Sequence, residues 1–308
     1  MNVDHETKQN KIIAYYCFGI NSVLEQTIFS CSSAIAQLRK NDIFSDYIFI
    51  IFTDKIDFFS KFKLSVQKYC KIILMDLSKD NLLSNWKGEP PDNFRIKLKS
   101  LEYCCEKFLD SKVLLLDSDT VFIAHPDDVF AKISITNSLF HEYEGRPEFN
   151  KTPGHRHFLN FIKDFKFDLN EKRSNFNFPV DMDLYNAGVI GLESRNVFLV
   201  KEALAIHNVI FEKTKFYYTE QLSITYTVQN KTKIQLADKE IAHYWYYKEI
   251  QTYISKYLKK VEIVDDYFNP ILILDVLKKL PSYKKFKSFY FKIPYKIIKS
   301  LKKRSILK

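Results

Sequence analysis

Glycine is scarce in this chain, with 6 residues among 308, and so are methionine (3) and tryptophan (2). The stretch Gly19-Ile20-Asn21-Ser22 after the first apolar run holds one glycine and no basic residue. Phosphate-cradling loops need several glycines for close backbone approach, so this one speaks against a nucleotidyltransferase that makes sugar nucleotides. No apolar run approaches the ~20 residues that span a bilayer. The polar N-terminus carries Asp4 and Glu6, which targeting segments disfavour. Five cysteines, odd in number and without C-x-x-C spacing, point away from a disulfide framework or zinc site and towards core thiols in a reducing, cytoplasmic compartment. Acidic residues are absent from 281–308, which holds ten Lys or Arg, so residues 1–280 carry 37 bases against 37 acids and the tail carries the whole net charge of +10. A neutral body argues against a nucleic-acid module, although a non-catalytic basic binding protein remains an alternative.

What is abundant is bulk. The chain has 27 Phe, 19 Tyr and 46% hydrophobic residues, enough to bury a large core. Continuous apolar runs at 11–18, 47–52 and 71–75 read as buried strands, and the helical patterns at 26–38 and 94–109 alternate with them. That alternation predicts an α/β fold with a mixed, mainly parallel sheet flanked by helices. Residues 141–178 read as a long loop with a helix near 157–166, 184–192 as an apolar segment, and 197–211 and 219–229 as helices. The short stretches 234–236 and 241–247 suit strands or loops.

The densest chemistry sits at Asp117-Ser118-Asp119, between the apolar runs 113–116 and 121–124. Side chains at i and i+2 of a strand share a face, so the two carboxylates converge if extended geometry persists through Ser118. Such a pair suits Mg²⁺ or Mn²⁺ completed by substrate phosphates. The same tripeptide also suits an ordinary turn. A second pair, Asp181 and Asp183, lacks a long apolar strand in front, and reads as binding ligand hydroxyls or as structural; Asp183 is also a candidate general base.

In order along the chain come a polar loop after the first strand, Thr53-Asp54 after the second, the cations Arg95, Lys97 and Lys99, Asp117-Ser118-Asp119, Asn186-Ala187-Gly188, Glu220-Gln221, and His243 followed by Lys248. This order resembles GT-A-type nucleotide-sugar glycosyltransferases, nearest to family 8, over about residues 10–250. The resemblance implies a GT-A domain at 10–250, a helical extension at 251–308, and transfer of a sugar from a nucleoside diphosphate to a glycan or lipid-linked acceptor, as in cell-surface polysaccharide synthesis. It implies Mn²⁺ or Mg²⁺ held by Asp117, Asp119 and His243, and a donor bound by Phe18, Asn21, Asp54, Arg95, Lys99, Ser118, Asn186 and Lys248. Arg95 is the first choice for the diphosphate, with Lys99 one turn later the second, although spaced charges also suit a solvated helix face. Glu220 and Gln221 match the acid–Gln pair beneath the anomeric carbon of the retaining family. Between His243 and Lys248 the chain departs from the family, with Tyr244 to Tyr247 in place of a glycine and Glu249 in place of a proline.

In the tail, Phe286, Tyr290, Ile293, Ile297 and Leu301 recur at spacings of three or four among lysines. That pattern predicts an amphipathic helix, kinked at Pro294, that docks the chain on the anionic inner face of a membrane.

Overall fold

The computed structural model describes residues 9–40, 44, 46–146, 160, 167–168, 175–176 and 182–280. The predicted helix near 157–166 (apart from residue 160), Asp181 and the basic tail 281–308 lie outside them.

The strands are β1 (Lys11–Cys17), β2 (Tyr47–Thr53), β3 (Lys71–Asp76), β4 (Lys112–Leu116), β5 (Thr120–Phe122), β6 (Asn137–Phe140), β7 (Tyr143–Gly145), β8 (Phe167–Asp168), β9 (Asn175–Phe176), β10 (Leu184–Tyr185), β11 (Val189–Glu193), β12 (Lys233–Leu236) and β13 (Ile241–His243). Seven of them form one sheet in the order β3-β2-β1-β4-β11-β6-β12. β1 runs parallel to β2 and β4, β2 to β3, and β6 to β12, while β11 is antiparallel to both its neighbours. The expected mixed, mainly parallel sheet is therefore present, with its one reversed strand beside the strand that carries Asp117.

Two apolar layers explain why the strands are continuous hydrophobic runs. On one face, α1 (Asn21–Leu38) and α2 (Ser60–Val66) pack with the later helices α8 (Ile250–Val264) and α9 (Pro270–Leu277); Phe29 meets Tyr257 at 5.2 Å, edge to face. On the other, α3 (Leu82–Lys87), α4 (Arg95–Lys107), α6 (Val197–Thr214) and α7 (Thr219–Gln229) cover the sheet through Leu98, Leu101, Leu199 and Ile224. A short helix, α5 (Pro126–Phe130), follows β5. β2 is buried at every position, as a strand covered on both faces must be. Full burial of each Ile or Phe there contributes on the order of 1.5–3 kcal/mol.

Two expectations need correction. The strand before Asp117 ends at Leu116, and Asp117-Ser118-Asp119 is a turn into β5, closed by Thr120 Oγ1 donating to the Asp117 carbonyl at 2.8 Å. Part of the expected long loop after 141 is strand: β7 pairs antiparallel with β10, and β8 with β9. The apolar segment 184–192 is likewise two strands, parted by a turn at Asn186 to Gly188.

Candidate metal and nucleotide site

Asp117 leaves the carboxyl end of β4, and its backbone N–H donates to the Gly188 carbonyl at the start of β11 (2.9 Å). The turn sends the chain back as β5, which pairs with β13 so that His243 stands opposite Thr120. That register closes a separation of 124 residues: His243 Nε2 lies 3.0 Å from Asp119 Oδ1 and 3.9 Å from Asp117 Oδ2. One ligand atom from each of Asp117, Asp119 and His243 falls within a 4.8 Å group. The carboxylates converge through a tight turn and not through strand alternation.

The imidazole is oriented from behind. Asn186 Oδ1 accepts from His243 Nδ1 (2.9 Å) and from the Gly188 N–H (2.9 Å), while Asn186 Nδ2 donates to Glu144 (2.7 Å). Both ends of the amide are thus fixed by their partners, and Nδ1 must carry a proton whether or not Nε2 does. Nε2 then faces two carboxylates, an arrangement that a cation between them satisfies. Gly188 makes room for this: a Cβ there would stand 2.2 Å from His243 Cε1. His141 packs edge-on against His243 at 5.4 Å and is pushed down to about 4, by burial first and then by the charge of His243, so it is a neutral neighbour. Two carboxylates and one imidazole nitrogen fit a hard or borderline divalent cation such as Mn²⁺.

Asp117 is anchored through its other oxygen. Tyr16 Oη donates to Oδ1 at 2.7 Å, and Lys97 Nζ lies 2.9 Å from the same atom. Lys97 is 3% exposed and also lies 3.7 Å from Glu220 Oε1, a buried oxygen with no hydrogen-bond partner among the described residues. Burial works against the Lys97 ammonium, but Asp117 and Glu220 outweigh it and hold its pKa above the usual lysine value. Glu220 is raised to about 7, by burial foremost, against the pull of Lys97. Asp119 is held below the ordinary carboxylate range: burial opposes this, and the hydrogen bond and charge of His243, with Lys248, prevail.

These groups line a cleft of about 980 Å³ at the carboxyl edge of the sheet, with Asn186, Gln221 and Glu144 along one wall. Gln221 donates to Glu144 (2.6 Å) and meets Tyr218 Oη at 2.7 Å. Several expected residues are placed elsewhere. Arg95 donates to the Asn85 and Trp86 carbonyls and to Asn208, tying α3 and α6 to α4, and Lys99 pairs with Glu102; the cation at the site is Lys97. Asp183 does not line the cleft; its carboxylate accepts from Tyr143 and Arg146, each at 3.2 Å. Asp54 accepts from the Gly19 N–H at 3.2 Å and borders a separate cavity of about 570 Å³. Phe18 lies under the Lys87 ammonium at 5.5 Å, and Asn21 opens α1 near Lys55. Ser118 is half-buried at the tip of the turn, and Lys248 is exposed in the segment before α8. Sequence reasoning named Lys97 beside Arg95 and Lys99 without choosing it, and missed Tyr16, Glu144 and Tyr218. For Lys97 a signal existed, since the buried positions Leu101, Cys104 and Cys105 of α4 project back, one turn earlier, onto it.

With the sheet order and the site in view, the chain has a GT-A-type glycosyltransferase fold. Among solved structures it is similar to the bifunctional glycosyltransferase WbbM in its apo form (TM-score 0.50, 12% identity, 95% of this chain and 53% of that one). Others are mouse xyloside xylosyltransferase 1 in its apo form (TM-score 0.46, 12% identity, 74% of this chain and 84% of that one) and GlyE of Streptococcus pneumoniae in its apo form (TM-score 0.44, 13% identity, 97% and 64%). The chain spans about half the length of WbbM, and the likeness is one of fold. No family model and no curated protein matches the sequence.

Proposed function

We propose that this chain is a metal-dependent glycosyltransferase that moves a sugar from a nucleoside diphosphate to a glycan or lipid-linked acceptor in cell-surface polysaccharide synthesis. The observation that carries this reading is the Asp117, Asp119 and His243 triad at the carboxyl edge of a GT-A-type sheet, opening into the large cleft. Open α/β sheets bind nucleotides at that edge. A bound Mn²⁺ or Mg²⁺ supplies charge neutralisation for the departing nucleoside diphosphate. The chain's own residues would position it: Asn186 holds the His243 tautomer, and Tyr16 with Lys97 fixes Asp117 through Oδ1, leaving Oδ2 on the His243 side. Lys248 adds positive charge near Asp119, where it would serve the phosphates of a bound donor. Glu220 and Gln221, both in the cleft, attend the donor sugar; their placement favours them over Asp183, whose carboxylate is behind the cleft-lining Tyr143 and Arg146 and taken up by them. Phe18, Asn21 and Asp54 lie at the carboxyl ends of β1 and β2, on the nucleoside side.

Assaying a panel of sugar nucleotides for hydrolysis with Mn²⁺ tests this reading. Turnover of at least one donor, abolished by chelation and by Asp119→Ala, is the expected result; no binding and no turnover with any of them overturns it. The membrane address of residues 281–308 belongs to the same proposal, supported by their charge and apolar spacing. No helix among the described residues is long and apolar enough to cross a membrane. Deletion of 281–308 is expected to abolish binding to anionic vesicles, and unchanged binding refutes the docking role.

A further inference from the structure

Six large aromatic side chains are exposed among the described residues, and their distribution is uneven. Four of them, Phe94 (41% exposed), Tyr143 (49%), Tyr217 (57%) and Trp245 (52%), line the cleft beside the metal triad, and a fifth, Tyr246, meets Trp245 edge-on at 5.9 Å. Exposed aromatic surface concentrated in a concave site marks a place where something apolar-faced binds. Tyr143 stands on β7 and Tyr217 just before α7, on the β6–β11 half of the sheet, whereas the nucleoside end of the donor is read at β1 and β2. Trp245 lies two residues beyond the metal-facing His243. With the nucleoside assigned to the ends of β1 and β2, as proposed above, these three rings are left for another ligand.

The polar groups between the rings restrict the ligand further. Among the described residues the cleft presents five carboxylates against two cationic side chains, Lys97 and Arg146. Lys97 is already committed to Asp117 and Glu220, and Arg146 to Asp183. On the aromatic side the carboxylates are Glu142 and Glu144, and Glu144 is held rigid by Asn186, Tyr218 and Gln221. Carboxylates accept hydrogen bonds from sugar hydroxyls and repel acidic groups. Pyranose rings have one face of C–H groups that stacks on the negative face of an aromatic ring.

From this arrangement we infer that Trp245, Tyr217 and Tyr143 form the acceptor subsite, and that the acceptor presents an uncharged pyranose stacked on these rings with its hydroxyls on Glu144. The inference rests on the glycosyl-transfer reading, and names the acceptor class and the residues that select it. It sets the acceptor apart from acidic glycans, which would bring uronate or sulfate groups against Glu142 and Glu144.

The test is titration of the whole chain, with Mn²⁺ and a nucleoside diphosphate present, against neutral and uronate-containing oligosaccharides, read by calorimetry and tryptophan emission. Trp86 is in the core at 8% exposure, so Trp245 is the solvent-facing reporter of the two. Neutral saccharides are expected to bind and shift the emission. Trp245→Ala and Tyr217→Ala each weaken them about five- to tenfold, and Trp245→Phe recovers most of the affinity. Both positions are half exposed, and an unchanged thermal midpoint confirms that each variant folds. No binding of any neutral saccharide, equal or tighter binding of the acidic ones, or affinities indifferent to both alanine variants overturns the inference. A wild-type chain that hydrolyses a donor but binds no neutral saccharide refutes this subsite while the transferase reading stands. Saccharide binding at Trp245 in a chain that neither binds nor turns over any donor upholds a saccharide site there and refutes the transferase.

Discussion

Gly188 lies so close to His243 that a methyl group on it would meet the imidazole at 2.2 to 2.8 Å. Gly188→Ala is therefore expected to push the ring off the two carboxylates, cost about 1–3 kcal/mol of stability from overpacking, and weaken Mn²⁺ binding measured by calorimetry. Asn186→Ala acts on the same ring without crowding it. Loss of the Nδ1 partner frees the tautomer and is expected to lower metal affinity about 10- to 100-fold, as removal of such orienting groups does. Glu220 gives a pH-dependent effect. Its carboxyl is held near 7 in the fold against an ordinary 4.5, so between those values the native chain binds more protons than the unfolded one. Stability of the metal-free protein should fall as pH rises through that window, by on the order of 3 kcal/mol, and Glu220→Gln should flatten the slope in urea titrations at pH 5 and 8. At this scale the sequence was legible where charge interrupts an apolar run, as at Asp117 and Asp119. His243 sits among aromatics and became a candidate ligand only through the resemblance. Glu144 and Tyr218 carried no signal, because a single acid in an irregular stretch has no periodicity to reveal its partners.

Helix phase decides which cation of α4 serves the site. Arg95, Lys97 and Lys99 are spaced by two, about 200° apart around the axis, so Arg95 and Lys99 share a face that Lys97 does not. Spacing alone offered both faces. Packing chose the one continuous with Leu101 and Cys104, and that buried Lys97 against Asp117 and Glu220. Lys97→Met leaves the buried Glu220 and the half-buried Asp117 without their cation and should destabilise the chain by about 3 kcal/mol. Arg95→Met loses the bonds that tie α3 to α4 and should lower thermal stability with metal affinity unchanged; a large loss of Mn²⁺ binding in this variant would restore Arg95 to the site. The elements themselves were largely readable: β1, β2, β3, α4 and α7 fall where apolar runs and helical spacing put them. β7 and β10 were not, since three-residue and two-residue strands are too short to show alternation and are specified by their pairing.

For the whole molecule, the sheet order determines what meets at its carboxyl edge. The reversal of β11 delivers Asn186 and Gly188 beside Asp117, and the β5–β13 pairing delivers His243 from far along the chain. Neither juxtaposition is encoded locally, which explains why the fold class was easier to read than the site. The helices α8 and α9 share the core on the α1 face, with Tyr257, Tyr267 and Phe268 packed against Phe29 and Phe62. The central claim is that Asp117, Asp119 and His243 hold one divalent cation to which a nucleoside diphosphate adds. Titration of Mn²⁺ followed by electron paramagnetic resonance, with and without a nucleoside diphosphate, tests it most directly. One site per chain, tightened by the nucleotide and lost in Asp119→Ala, is the predicted result; equal Mn²⁺ binding by wild type and variant, or none by either, would contradict the account.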